Sequence, residues 1–269
     1  CLLKIRGTSF GITYFWLRLK LMILYYLIFA WALIGAIAFL YLIKEPAPYG
    51  KHVKKTYKYS MGAKTGWILM ESPAFYLMLI FFVFYGNYEN KVHIVLTLLF
   101  CLHYFNRSFI WPLRAQTNSK KMPLNVVLSA FAFNIVNVFF QGSWLFFLID
   151  YSSNWLLSVW FLIGLIVFFS GMFINIISDE IMINLKKSNN GKYAIPRGFL
   201  FSKVSCPNYF GEFLEWLGWA LMTMNLAGLI FFFWTLANLL PRALSNHEWL
   251  KREFENYPKN RKAVIPGII

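Results

Sequence analysis

GEFLEWLGWALMTMNLAGLIFFFWTLANLL, residues 211–240, is apolar and aromatic almost throughout, yet carries two carboxylates, Glu212 and Glu215, close to its start. One helix of this length would rise about 45 Å, well beyond the roughly 30 Å hydrocarbon core of a bilayer. The stretch is therefore one steeply tilted span or two short ones, and the charges around it decide. The tail that follows is basic from Arg242, with Lys251, Arg252, Lys259, Arg261 and Lys262. The polar connection before it, Asp179 to Lys203, holds five basic residues. Basic segments gather on the cytoplasmic face of a membrane protein. Both flanks on one face require two crossings between them, with a break near Asn225 to Gly228.

Working outward, the same charge alternation runs along the whole chain. Apolar runs at Leu21 to Ile43, Gly66 to Tyr85, about Val92 to Leu113, Leu124 to Ile149 and roughly Trp155 to Ile177 are each long enough to span. The connection Lys44 to Lys64 holds six lysines and Arg114 to Met122 is basic, whereas Gly86 to Asn90 and Asp150 to Asn154 carry no basic residue. The expected fold is an all-α integral membrane protein of seven transmembrane helices with polar loops and a cytoplasmic C-terminal tail. Lys4, Arg6, Arg18 and Lys20 then fall on the opposite side. No internal repeat is visible, and the spans run through residues 1–269 as one domain.

Composition agrees. Of 269 residues, 59% are hydrophobic, 20% aromatic and only 14% charged, a balance foreign to a soluble core of this size. A net charge of +15 would suggest nucleic acid in a soluble protein. Here it sits in the connections, where it sets topology and meets lipid headgroups, so no nucleic-acid partner is expected. Cys1, Cys101 and Cys206 are scattered, which supports neither disulfides nor a metal site. The first apolar run has no small-residue cleavage site and is expected to stay in the membrane.

Polar residues at membrane depth are the candidates for function, because an ionisable group there is expensive unless it faces protein or a wet cavity. Asn208, Glu212 and Glu215 follow at i, i+4 and i+7 and share one helix face, which reads as a binding surface. Glu71 lies mid-span beside Pro73, whose ring breaks the helical ladder; desolvation would keep its carboxyl neutral and able to donate a hydrogen bond. Near the end of the third span come His103, Tyr104, Asn106 and Arg107. Arg107 reads as snorkelling to the interface and His103 as a structural donor. Asn175 and Asp179 stand at i, i+4 where the fifth span ends.

Six separated motifs then share an order. VSCPNYFGEFLEWLGWAL (Val204 to Leu221) and FENYPKNRKAVIP (Phe254 to Pro266) resemble the C-terminal half of the steroid 5α-reductase family. LFCLHYFNRSF (Leu99 to Phe109), GMFINIISDEI (Gly171 to Ile181), YAIPRGFLF (Tyr193 to Phe201) and WILMESPAF (Trp67 to Phe75) extend the likeness towards the start. The resemblance implies a seven-span, NADPH-dependent reductase of the Δ4 double bond of 3-oxo steroids. It implies that Glu71 and Tyr104 polarise the C3 carbonyl, with Trp67 and Met70 beside the substrate; Met70 stands where the family has Gln. It further assigns Asn175, Asp179, Lys186, Tyr193, Asn208, Glu212, Arg242 and His247 to NADPH, Lys186 replacing a common Arg. About residues 1–150 would then form the substrate half and 151–269 the cofactor half. No GxGxxG follows a strand, so the dinucleotide would lie between helices and loops.

On this reading the partners are a steroid or similar flat lipid and the membrane itself, and the working unit is a monomer. The membrane is the inner membrane of a bacterium or the endoplasmic reticulum of a eukaryote. A reductase of another conjugated lipid (enoyl thioester, polyprenal or sterol) shares the C-terminal motifs, and a transporter also places carboxylates at mid-membrane.

Overall fold

The computed structural model describes residues 9–45, 57–115, 117 and 120–269, with side chains from residue 18 onward. Among these residues eight α-helices carry nearly all of the fold: α1 (Ser9–Lys44), α2 (Ala63–Tyr85), α3 (Lys91–Phe105), α4 (Trp111–Arg114), α5 (Leu124–Ser143), α6 (Val159–Ser188), α7 (Pro207–Thr223) and α8 (Leu226–Glu253). Six of the described segments are long and apolar enough to cross a membrane: Arg18–Lys44, Ala63–Tyr85, Lys91–Arg114, Leu124–Leu148, Val159–Ser188 and Leu226–Glu253. The protein is a helical, multi-pass membrane protein. Cys1, Lys4 and Arg6, and the lysines Lys51, Lys54 and Lys55 of the first basic connection, lie outside the described residues.

The stretch 211–240 breaks as its charges demand. Met224 takes a left-handed conformation at φ 42°, and Asn225 caps α8 by accepting from the Gly228 amide at 2.8 Å. Asn is among the best residues for such a cap, so α7 and α8 meet head to tail with almost no linker. α7 has 17 residues and not one of them is exposed. A helix wrapped by its neighbours need not be as long or as apolar as one facing lipid.

Two boundaries differ from expectation. The fifth span does not start at Trp155: Ser153–Leu157 is a 3₁₀ turn and Ser158 caps α6 by accepting from the Phe161 amide. Nor does it end at Ile177. Between Gly171 and Gly191 there is neither Gly nor Pro, and α6 runs to Ser188 with Lys186 and Lys187 in its last turn, where cations suit the helix dipole. Likewise α8 continues through Pro241 to Glu253. Arg242 and His247 therefore stand on a helix, and the non-helical tail begins only at Phe254.

Packing is tightest between α6 and α7. Gly164 and Gly171 on one face Gly218 and Gly211 on the other. A Cβ on Gly211 would lie 2.6 Å from the Asn175 amide nitrogen and the Gly171 carbonyl, and one on Gly164 would lie 2.7 Å from the Gly218 carbonyl. Only glycine lets two backbones approach so closely, a device typical of helices in membranes. α1 is held to α8 by Trp31 and Trp234, ring centroids 4.6 Å apart.

One end of the bundle is tied by backbone. Ser60–Gly62 pairs antiparallel with Lys121–Pro123, in register Ser60 to Pro123. The Ser205 and Cys206 amides donate to the Lys262 and Ala263 carbonyls. At the other end the Tyr151 hydroxyl donates to the Thr223 carbonyl at 2.6 Å and Trp155 Nε1 to the Met222 carbonyl at 2.8 Å, closing the last turn of α7.

Candidate active site

The α6–α7 seam brings four predicted residues into one network. Asn175 Nδ2 donates to the Asn208 carbonyl at 3.1 Å and to Glu212 Oε1 at 3.2 Å, and Asn208 Nδ2 donates to Asp179 Oδ1 at 3.2 Å. Arg107 closes it. Its guanidinium lies 3.2 Å from Asp179 Oδ2 and 3.7 Å from Glu212 Oε1. It also lies against Trp67 and Trp111, which meet edge-on, at 5.4 and 5.0 Å from their ring centres, a cation–π geometry. Arg107 is 9% exposed, so it does not snorkel to the interface. A guanidinium with two carboxylates and two aromatic faces is better satisfied inside than at the headgroups. A π-helical turn, Asn106–Ile110, carries it out of α3; such turns recur at functional sites.

A second network lies towards α5. Asn134 Nδ2 donates to the Met70 carbonyl at 2.6 Å and reaches Glu71 Oε2 at 3.5 Å, while the Tyr104 hydroxyl donates to Asn134 Oδ1 at 3.4 Å. Glu71 and Tyr104 are thus brought together by a carboxamide that sequence reasoning missed. Met70 enters through its backbone carbonyl, which any residue at that position supplies. Glu215 does not join Glu212: its Oε1 lies 2.8 Å from His103 Nδ1. His103, expected as a structural donor, meets its partner on α7.

These networks border a cavity of about 1110 Å³ lined by Trp31, Trp67, Met70, Glu71, His103, Tyr104, Arg107, Phe133, Asn134, Glu212, Trp216, Phe231 and Trp234, among others. The resemblance places the substrate in the half up to about residue 150, yet α7 and α8 supply part of this wall as well. Their share could not be read from residues more than a hundred positions away.

A smaller cavity of about 310 Å³ lies at the tied end. Asp179, Lys186, Tyr193, Asn208 and Arg242, all predicted for the cofactor, line it together with Lys120, Lys121, Lys192 and Trp249. Lys120 Nζ donates to the Tyr193 hydroxyl at 2.7 Å, and Tyr193 packs edge-on against Trp249 with centroids 5.2 Å apart. Arg242 Nε donates to the Tyr209 hydroxyl at 3.1 Å. Trp67 and Arg107 border both cavities. Two predicted residues stand behind the walls: Asn175 supports Glu212, and His247 Nδ1 bonds Ser205 Oγ, which also meets the Tyr257 hydroxyl. Lys120 and Trp249 were missed, although a lysine pair just before a span was a visible signal.

A family model described as 3-oxo-5-alpha-steroid 4-dehydrogenase matches residues 120–269. The chain is 46% identical over 226 residues to steroid 5-alpha-reductase DET2 of Solanum lycopersicum, covering 82% of this chain and 88% of that protein. It is 38% identical over 238 residues to 3-oxo-5-alpha-steroid 4-dehydrogenase 2 of Homo sapiens, covering 87% and 92%. Against 3-oxo-5-alpha-steroid 4-dehydrogenase 1 of Bos taurus the identity is 34% over 240 residues, with 88% and 93% covered. The order of motifs, the two neighbouring cavities and these matches agree: the chain belongs to the 3-oxo-5-alpha-steroid 4-dehydrogenase family, oxidoreductases that act on CH–CH groups.

Proposed function

We propose that the protein reduces the Δ4 double bond of a 3-oxo steroid with NADPH. The observation that carries this reading is the pairing of Glu71 and Tyr104 across Asn134 in a large aromatic cavity that meets, at Arg107, a second cavity rimmed by cations. Family membership supports the reaction class.

The residues present suit the cofactor. Lys120, Lys121, Lys186, Lys192 and Arg242 around the smaller cavity match a phosphate-rich dinucleotide. Asp179, Asn208 and Glu212 offer acceptors and an amide towards its sugar and carboxamide groups. When bound, NADPH supplies the hydride. The chain's own residues position the substrate and bear its charge: as hydride reaches C5, negative charge grows on the C3 oxygen. The Tyr104 hydroxyl and a neutral Glu71 carboxyl donate to that oxygen. Donors aimed at charge that exists mainly in the transition state lower the barrier. At 3.4 Å the Tyr104 bond to Asn134 is long, so the hydroxyl turns to a substrate carbonyl at little cost.

In the membrane α7 is the sixth crossing and α8 the seventh, and the tied, lysine-rich end is cytoplasmic. Residues up to about 150 supply most of the substrate side and those after it most of the cofactor side of one domain, with α7 and α8 adding to the larger cavity and Lys120 and Lys121 to the smaller. The working unit is taken to be a monomer. The test is NADPH consumption by purified protein with Δ4-3-keto steroids, enoyl thioesters and polyprenals. Turnover with the steroids and not with the other classes is expected; turnover only with another class refutes the substrate assignment.

A further inference from the structure

Adding hydride to C5 leaves C4 in need of a proton, and the geometry points to His103, held by Glu215, as its donor. This inference rests on the proposed function. His103 precedes Tyr104 on α3, so the two side chains project about 100° apart, and both border the larger cavity. Their ring centroids are 5.0 Å apart, and the Trp216 ring lies 4.5 Å from the imidazole on another side. Tyr104 is engaged with Asn134, on the side of Glu71 and the carbonyl it would polarise. The imidazole is engaged elsewhere.

Its Nδ1 lies 2.8 Å from Glu215 Oε1, and Glu215 is 1% exposed. The second oxygen, Oε2, is buried with no hydrogen-bond partner among the described residues. A buried carboxyl group left half-satisfied is costly, and a partner that shares a proton with it offsets that cost. In the proposed step the ring starts doubly protonated, with Nδ1–H donated to the Glu215 carboxylate and the transferable proton on Nε2. With Nδ1 engaged, Nε2 is the ring atom left to meet the cavity. A carboxylate that fixes an imidazole by one nitrogen so that the other exchanges protons is the arrangement of general acid–base catalysis.

Hydride from the reduced nicotinamide bonds to C5 with its electron pair. The C4=C5 π pair moves between C3 and C4, and the carbonyl π pair moves onto the C3 oxygen, held by Tyr104 and Glu71. When C3=O re-forms, the C3–C4 pair takes the proton from His103 Nε2. The N–H electrons stay on the imidazole, whose Nδ1–H remains donated to Glu215, and water in the cavity restores the proton. His103 is then a catalytic residue and Glu215 a positioning residue.

The test runs wild type, His103→Gln and Glu215→Gln with a Δ4-3-keto steroid and NADPH in D₂O. It reads turnover, KM, NADPH affinity and the face of C4 that carries deuterium. The wild type should label one face. His103→Gln should lose about 10²–10⁴ in turnover, keep its NADPH affinity, and label both faces in its residual product, because bulk water then delivers the deuteron. Glu215→Gln should lower kcat, leave KM unchanged and blur the facial preference; it carries the test alone if His103→Gln does not assemble. Wild-type turnover with single-face labelling in either variant overturns the assignment, as does a loss confined to NADPH affinity. A wild-type protein that reduces no steroid refutes the proposed function instead.

Discussion

Asn134 joins Glu71 to Tyr104 through one carboxamide, so the two proposed donors are coupled. Replacing either by a residue without a donor should cost about 10²–10³ in turnover while NADPH affinity holds. Glu71→Gln discriminates, since an amide keeps the size and still donates: much of the activity should survive in Gln and vanish in Ala. Equal loss in both would mean that Glu71 transfers a proton or acts as an anion, and wild-type rates in both would leave it a structural partner of Asn134. On the cofactor side, Asn208→Ala and Glu212→Ala should sharply weaken NADPH binding in folded protein, measured by equilibrium titration in detergent. Both positions stood out because Glu212 lies inside an apolar run one helical turn after Asn208, and the family resemblance assigned them to NADPH. Arg107 was legible only as a cation near a span end, since its partners Asp179 and Glu212 come from helices that fold against it from far along the chain. Asn134 was missed for a plainer reason. Asn134, Asn137 and Gln141 repeat at i, i+3 and i+7 in α5 and share one buried face, a polar stripe inside a span that asked for the same reading as Glu71.

Among the elements, the α6–α7 pair is the least tolerant of added volume. Gly171→Ala or Gly211→Ala places a methyl against the facing backbone, which cannot give way as a side chain can. Each should cost about 1–3 kcal/mol, read as a lower thermal midpoint in detergent. Gly62→Ala is the control, because a Cβ there meets only Thr65 Oγ1, at 4.0 Å, and should leave the midpoint unchanged. The break between α7 and α8 could be placed from charge and Asn225 alone. The far end of α6 could not: a polar sequence exits a membrane as readily in helix as in loop, and nothing before Gly191 forces the helix to stop.

For the whole molecule, topology makes the firmest forecast. Single cysteines placed at Lys192 and at Lys259, in a background without the native thiols, should react with a membrane-impermeant reagent from the same face. Labelling from opposite faces would remove one of the two crossings assigned to α7 and α8. The order of these helices along the chain has a consequence for how the protein is made. A helix bearing Glu212 and Glu215, with no exposed residue in the finished bundle, has no comfortable place in lipid by itself. Among the described residues, however, the partners of these acids come earlier in the sequence: Arg107 and Asn175 for Glu212, His103 for Glu215. Ribosomal synthesis therefore delivers each partner before the acid that needs it, and α7 emerges into a groove already equipped to receive it.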